Sequence, residues 1–141
     1  MDSFIRFQSI LTRLSGTPFT AKLGEFYRGE TAVLRAIEAL IDSTGSAHPS
    51  TLAAYLQITR PSVTSALSSL ERKGHITRSI GSRDRRRIEV YPTREGRQRL
   101  KETAEEVDQW CSMMLRSMGE NRFHTFLSII EEGLDIMDIR E

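Results

Sequence analysis

Cysteine is almost missing. Cys111 stands alone in 141 residues, so no internal disulfide framework can form, and the expected compartment is a reducing cytoplasm. Histidine is scarce as well. His48, His75 and His124 lie far apart and offer no metal-ligand spacing. The carboxylates Glu102, Glu105, Glu106 and Asp108 read as a solvated helix face, so no metal and no cofactor is expected. Absent too are a glycine-rich phosphate loop, a Gly-x-Ser-x-Gly elbow and a His-Glu-x-x-His pair, which argues against an enzyme. No apolar run approaches the roughly 18 residues that suggest a membrane span. The opening MDSFIRFQSILTRLSG is amphipathic and carries charges within it, unlike a secretory signal. One more absence is local: from Thr59 to Leu70 there is no acidic residue.

What is present is charge, unevenly placed. The formal net charge is only +1. Residues 1–71 balance at 6 basic and 6 acidic, residues 72–101 hold 11 basic against 3 acidic, and residues 102–141 hold 3 basic against 10 acidic. A basic block confined to 30 residues is the footprint expected for an anionic partner.

Periodicity predicts a mainly helical chain. Phe4, Phe7, Leu11 and Leu14 form one apolar stripe over residues 2–14, with Asp2 or Ser3 as cap and Gly16-Thr17-Pro18 as stop. Such a stripe must pack on its own domain or on another chain. Residues 19–28 are ambiguous, because Phe19, Leu23, Phe26 and Tyr27 favour helical turns while Gly24 weakens them. Residues 30–43 read as a helix with Val33, Leu34, Ile37, Leu40 and Ile41 inward, ended by Thr44-Gly45-Ser46. Ala47-His48 is short enough to pair as a minimal strand. Pro49 opens a short helix carrying Leu52, Ala53, Tyr55 and Leu56. Thr59 then caps another, with Val63, Ala66, Leu67 and Leu70 inward.

Two short helices joined by a tight turn are the helix-turn-helix signature. The outward positions of the second helix are Arg60, Pro61, Ser62, Thr64, Ser65 and Ser68. Short hydroxyl side chains let a helix sit deep in a groove, and they donate to or accept from base edges and phosphates. An arginine can bind guanine through two hydrogen bonds. After Lys73-Gly74, residues 76–80 and 88–91 alternate as strands, so Arg83, Asp84, Arg85, Arg86 and Arg87 fall at a hairpin tip. A narrow minor groove attracts such arginines. Asp84 either makes the loop turn or holds Arg86 by a charge-assisted, bidentate hydrogen bond.

Thr93 caps a long helix of residues 94–118. Its stripe of Leu100, Ala104, Val107, Cys111, Met114 and Met118 repeats every 3.5 residues, a seam for helix packing in which Cys111 reads as a small core residue. Gly119 breaks it. Residues 121–138 follow with Phe123, Phe126, Leu127, Ile130, Leu134 and Met137 on one face.

The stretch LAAYLQITRPSVTSALSSLERKGHITRSIGSRDRRRIEVYPTREG resembles the core of MarR-type winged-helix transcriptional regulators. The resemblance lies in the leucine-alanine helix and in Leu70-Glu71-Arg72-Lys73-Gly74 closing the recognition helix. It continues in the wing signature Asp84-Arg85-Arg86, then in Thr93 and Gly96. Pro92 departs from the family, which usually has leucine there. The resemblance implies a mainly α fold with a small β-hairpin wing, in one domain of residues 1–141. Residues 29–93 would be the winged helix-turn-helix lobe, and 1–28 and 94–141 the dimerisation helices. Phe4, Phe7, Leu11, Leu14, Phe123, Phe126, Leu127, Ile130, Leu134 and Met137 would then form a homodimer interface. Arg86, matching the signature arginine, would enter the minor groove of a pseudo-palindromic double-stranded DNA operator.

In such a regulator, a repressor above all, a small-molecule effector often sits between lobe and dimer helices, where Phe26, Tyr27, Trp110 and Met114 are candidates. Redox- or metal-responsive versions of the same fold exist as alternatives. The family's single-cysteine peroxide sensors, however, carry their cysteine near the N-terminus, where this chain has none. The alternative of another class is a winged-helix lobe serving as a protein-interaction module.

Overall fold

In the computed structural model, which describes residues 2–138, the elements run α1 (Ser3–Ser15), α2 (Pro18–Tyr27), α3 (Gly29–Thr44), α4 (Pro49–Leu56) and α5 (Arg60–Arg72). The strands β1 (Ile76–Ile80) and β2 (Ile88–Pro92) follow, then α6 (Arg94–Met118) and α7 (Glu120–Asp138). None of these helices is long and apolar enough to cross a membrane. The chain divides inside α6, after Glu105, into two compact units.

Local chemistry explains the boundaries. The Asp2 carboxylate accepts from the Phe4 N–H at 3.2 Å and starts α1. The α1 chain turns at Gly16, and the Thr17 hydroxyl caps α2 by accepting from the Thr20 N–H at 3.2 Å, with Pro18 in the first turn. The ambiguous stretch 19–28 is therefore a helix, and Gly24 within it faces open space. Gly45, at φ 85°, closes α3 in the left-handed conformation that favours glycine.

The first unit has its core around α3. Val33, Leu34, Ala36, Ile37 and Leu40 are buried there with Leu52 and Ala53 of α4, Val63, Leu67 and Leu70 of α5, Ile76 and Val90 of the hairpin, and Leu100 of α6. Tyr55 breaks the expected pattern: the short α4 has room for only one inward stripe, and Tyr55 faces solvent. The α4–α5 turn is tight. Gln57 takes a left-handed φ of 54°, and the Ile58 N–H returns to the Ala53 carbonyl at 3.2 Å. Fully burying Val63, Leu67 and Leu70 contributes about 1.5–3 kcal/mol each, which seats α5 firmly by its inner face.

The hairpin is antiparallel, with Ile76 opposite Pro92, Arg78 opposite Val90 and Ile80 opposite Ile88. Ala47 does not form a full strand, but its carbonyl accepts from the Val90 N–H at 2.9 Å and so extends the β2 edge by one bond. In the second unit, from Glu106 onward, α6 ends at Gly119, whose φ is 80°, and α7 follows at once. Phe123 is buried, while Leu127, Ile130, Leu134 and Met137 are exposed. Cys111 was expected in a core; in the single chain it is exposed, because the 3.5-residue seam that carries it is only partly covered.

Candidate nucleic-acid interface

Helix α5, the second of the helix-turn-helix, begins at Thr59, whose hydroxyl accepts from the Ser62 N–H at 3.2 Å, with Pro61 in the first turn. Burial of Val63, Leu67 and Leu70 turns Arg60, Pro61, Ser62, Thr64, Ser65 and Ser68 outward, and all six are exposed. Thr64 bonds back to the Arg60 carbonyl at 3.0 Å, which holds its hydroxyl against the helix.

The hairpin carries its arginines at the tip. Arg83, Arg85, Arg86 and Arg87 are all exposed, and the Arg86 side chain is 93% accessible. The loop is closed by the Gly81 N–H on the Arg87 carbonyl at 2.8 Å and the Arg87 N–H on the Asp84 carbonyl at 3.1 Å. A Cβ at Gly81 would stand 2.7 Å from the Asp84 carbonyl oxygen, so this turn leaves no room for a side chain. Both readings of Asp84 hold at once. Its Oδ1 accepts from the Arg86 backbone N–H at 3.0 Å, which shapes the turn, and from Arg86 Nε at 3.4 Å, which orients the guanidinium. One carboxylate oxygen does both, so the contact is not the expected two-oxygen fork.

Two groups that matter here were not singled out from the sequence. Arg78 lies on the inner face of β1. It binds Glu71 of α5 through Nε at 3.0 Å and Nη2 at 3.3 Å, and Nη2 also donates to Ser68 Oγ at 3.4 Å. The first acid of α5 is thereby paired. His48 is the second: Nδ1 lies 3.0 Å from the Ile88 carbonyl of β2 and Nε2 lies 3.2 Å from Ser46 Oγ. Strand alternation placed Arg78 inward in principle, but its partner is set only by packing. Nothing local marks His48.

Glu30 at the start of α3 meets Lys73 at 2.7 Å. The hydrogen bonds from Lys73 and then Ser69 hold its carboxyl below the usual carboxylate range. Tyr91 donates to Glu89 at 2.6 Å, and this hydrogen bond raises the phenol above its ordinary value.

The other predicted residues fall as follows. Phe4, Phe7, Leu11 and Leu14 are all exposed on α1, and Phe126 of α7 is half-buried. Phe26 and Tyr27 meet edge to face at 4.9 Å, and the Arg35 guanidinium caps the Phe26 ring at 4.0 Å, so these rings already hold a cation of the chain itself. Trp110 and Met114 are half-buried on α6. An open groove of about 1060 Å³ runs beside α5, walled by Tyr27, Val33, Leu56, Ile58, Pro61 and Ala66. Among the described residues, no group of three His, Cys, Asp or Glu side chains could hold a metal ion.

Known proteins are similar to this chain in sequence or in fold. The HTH-type transcriptional regulator FarR of Neisseria gonorrhoeae is 32% identical over 81 residues, which span 57% of this chain and 56% of that protein; the match thus covers little more than half of the relative's length. A mutant of S. aureus MepR superposes with a TM-score of 0.75 at 20% identity, over 97% of this chain and 99% of that one. Streptococcus pneumoniae FabT, solved in complex with DNA, superposes with a TM-score of 0.70 at 18% identity, over 99% of this chain and 100% of that one. The sequence profile of the MarR family matches residues 30–87, which hold α3, the helix-turn-helix and the arginine loop. That segment is similar to the MarR family, and the chain shares the winged helix-turn-helix fold of these proteins.

Proposed function

We propose that this protein is a cytoplasmic transcriptional regulator that binds a pseudo-palindromic operator as a homodimer and acts as a repressor. The observation that carries the reading is the pairing of an exposed, acid-free α5 face with an arginine-tipped hairpin. Arg60, Pro61, Ser62, Thr64, Ser65 and Ser68 read bases and phosphates in the major groove. Arg86, oriented by Asp84, enters the adjacent minor groove, while Arg83, Arg85 and Arg87 bind phosphates. FabT in complex with DNA and a second MepR mutant, bound to oligodeoxyribonucleotide, are of the same fold, and this supports the docking mode.

The homodimer is supported by apolar surface. Phe4, Phe7, Leu11 and Leu14 on α1 and Leu127, Ile130, Leu134 and Met137 on α7 are exposed, a density of large apolar side chains that marks an interaction surface. In this reading residues 29–93 form the DNA-binding lobe, and residues 1–28 and 94–141 hold two lobes about one helical turn of DNA apart. An effector that stabilises a dimer with another spacing weakens operator binding.

The test is selection of bound duplexes from a random pool at moderate salt. Enrichment of a palindrome with half-sites about 10 base pairs apart is expected. Absence of any enriched duplex, with affinity that does not change with salt, would refute the operator-binding reading in favour of the lobe as a protein-interaction module.

A further inference from the structure

The arginine loop can read a groove only if the hairpin is held at a fixed angle to α5, and an exposed two-stranded hairpin is marginal by itself. Among the described residues, two side chains of the helix-turn-helix and hairpin tie one to the other by hydrogen bonds. Arg78 ties β1 to α5 through Glu71 and Ser68. His48 ties β2 to the start of α4.

We infer that His48 is a positioning residue for DNA binding: it sets the attitude of the wing and, through it, the reach of Arg86. This rests on the DNA-binding reading above. His48 is only 9% exposed. Its backbone is pinned at the start of α4, where its N–H donates to Thr51 Oγ1 at 3.0 Å and its carbonyl accepts from the same hydroxyl at 2.9 Å. The ring then reaches 40 positions along the chain to the Ile88 carbonyl at 3.0 Å. A carbonyl only accepts, so Nδ1 carries the proton and donates, while Nε2 meets the Ser46 hydroxyl at 3.2 Å.

Ile88 is the first residue of β2 and lies two positions after Arg86. The same point of the strand is held from the loop side, where Gly81 and Asp84 clamp Arg87, and two residues further on by the Val90 N–H on the Ala47 carbonyl at 2.9 Å. His48 therefore closes a chain of bonds that runs from α4 through Ile88 and Arg87 to the Asp84–Arg86 pair. A small cavity of about 250 Å³ between His48 and Arg83, Arg87 and Glu89 gives the loop room to shift when that bond is lost.

The test uses two variants that keep one ring-nitrogen position each. His48→Asn places an amide N–H near the Nδ1 position and should bind the selected operator like the parent. His48→Gln places its amide near the Nε2 position, keeps Ser46 in reach, loses Ile88, and should bind about 3- to 10-fold more weakly, the weight of one intramolecular hydrogen bond. Each variant is then combined with Arg86→Ala. If His48 acts through the wing, His48→Gln costs less once Arg86 is gone, because only the phosphate contacts of Arg83, Arg85 and Arg87 remain to be misplaced; a cost equal to that in the parent overturns the inference and makes His48 a merely structural residue. Equal affinity of the Gln and Asn variants also overturns it. Amide hydrogen exchange of residues 81–90 in the free protein gives a readout that needs no DNA: faster exchange in His48→Gln and parental exchange in His48→Asn are expected, and identical exchange in both refutes the tie. If the parent binds no duplex, the DNA-binding reading fails while the exchange result still decides whether His48 holds the wing.

Discussion

Gly96→Ala sets two effects of opposite sign against each other, and the structure says which wins. In the first turn of a helix this substitution ordinarily helps, by about 1 kcal/mol of intrinsic propensity. Here a Cβ at position 96 would overlap the carbonyl oxygen of His75. That oxygen cannot move freely, because it accepts from the Thr93 N–H at 2.9 Å. The Thr93 hydroxyl is committed too: it donates to the Gly74 carbonyl at 2.6 Å and caps α6 by accepting from the Gly96 N–H at 3.1 Å. Relieving the overlap means lifting the start of α6 off the turn after α5.

Losing the Thr93 bonds to His75 and Gly74 costs about 1 kcal/mol each. Residual overpacking adds about 1 kcal/mol or more. Against the propensity gain, the net is a destabilisation of about 2–3 kcal/mol, or roughly 6–12 °C in Tm for a domain of this size. Thermal unfolding followed by circular dichroism at fixed protein concentration measures it. Gly24→Ala is the control, since Gly24 sits inside α2 with nothing within 4 Å of the added carbon, and that variant should gain about 0.5–1 kcal/mol. If Gly96→Ala is as stable as the parent, or gains like Gly24→Ala, the close approach of α6 to His75 is wrong.

Arg86→Ala should weaken operator binding by about 1–3 kcal/mol in a fluorescence-anisotropy titration, with unfolding unchanged because the side chain is 93% accessible; unaltered affinity removes Arg86 from the interface. Operator affinity should fall steeply between 50 and 200 mM salt as phosphate contacts release counterions, on the order of 10³-fold if six arginines contact phosphates, and a flat response excludes them. Deleting residues 1–14 should shift the protein from dimer to monomer in analytical ultracentrifugation, and a fully dimeric, soluble truncation refutes the interface role of Phe4, Phe7, Leu11 and Leu14. Glu30→Gln tests the Lys73 pair: a carboxyl held below its usual range adds stability that is present above the unfolded-state value and fades as pH falls through the folded one. Parent and variant should therefore differ at neutral pH, by under about 1 kcal/mol for so exposed a pair, and converge in acid; a gap that persists in acid points to another cause.

Where a feature depends on neighbours in sequence, it was legible. The inward faces of α3 and α5, the caps Thr59 and Thr93, the turn at Lys73-Gly74 and both strands follow from periodicity and local hydrogen bonding. The outward face of α5 is the complement of its buried face, so it could be read as well. Residues 19–28 were the exception among the helices. Gly24 lowers helix propensity, and Thr17-Pro18, a stop signal for the preceding helix, is also the start that outweighs it.

What could not be read depends on groups far apart in the chain. A stripe says that a side chain faces something, not that this chain supplies it: the α1 residues and Cys111 lie on good stripes and are exposed. The Arg78–Glu71 and His48–Ile88 ties span 7 and 40 positions and have no period to betray them. Arg78 on a strand and His48 before a proline each look like ordinary surface residues until the hairpin is folded back on the helices. The arginines that would touch DNA are therefore conspicuous in the sequence, because composition alone concentrates them. The polar groups that aim those arginines are single residues, and only the fold brings them to their partners.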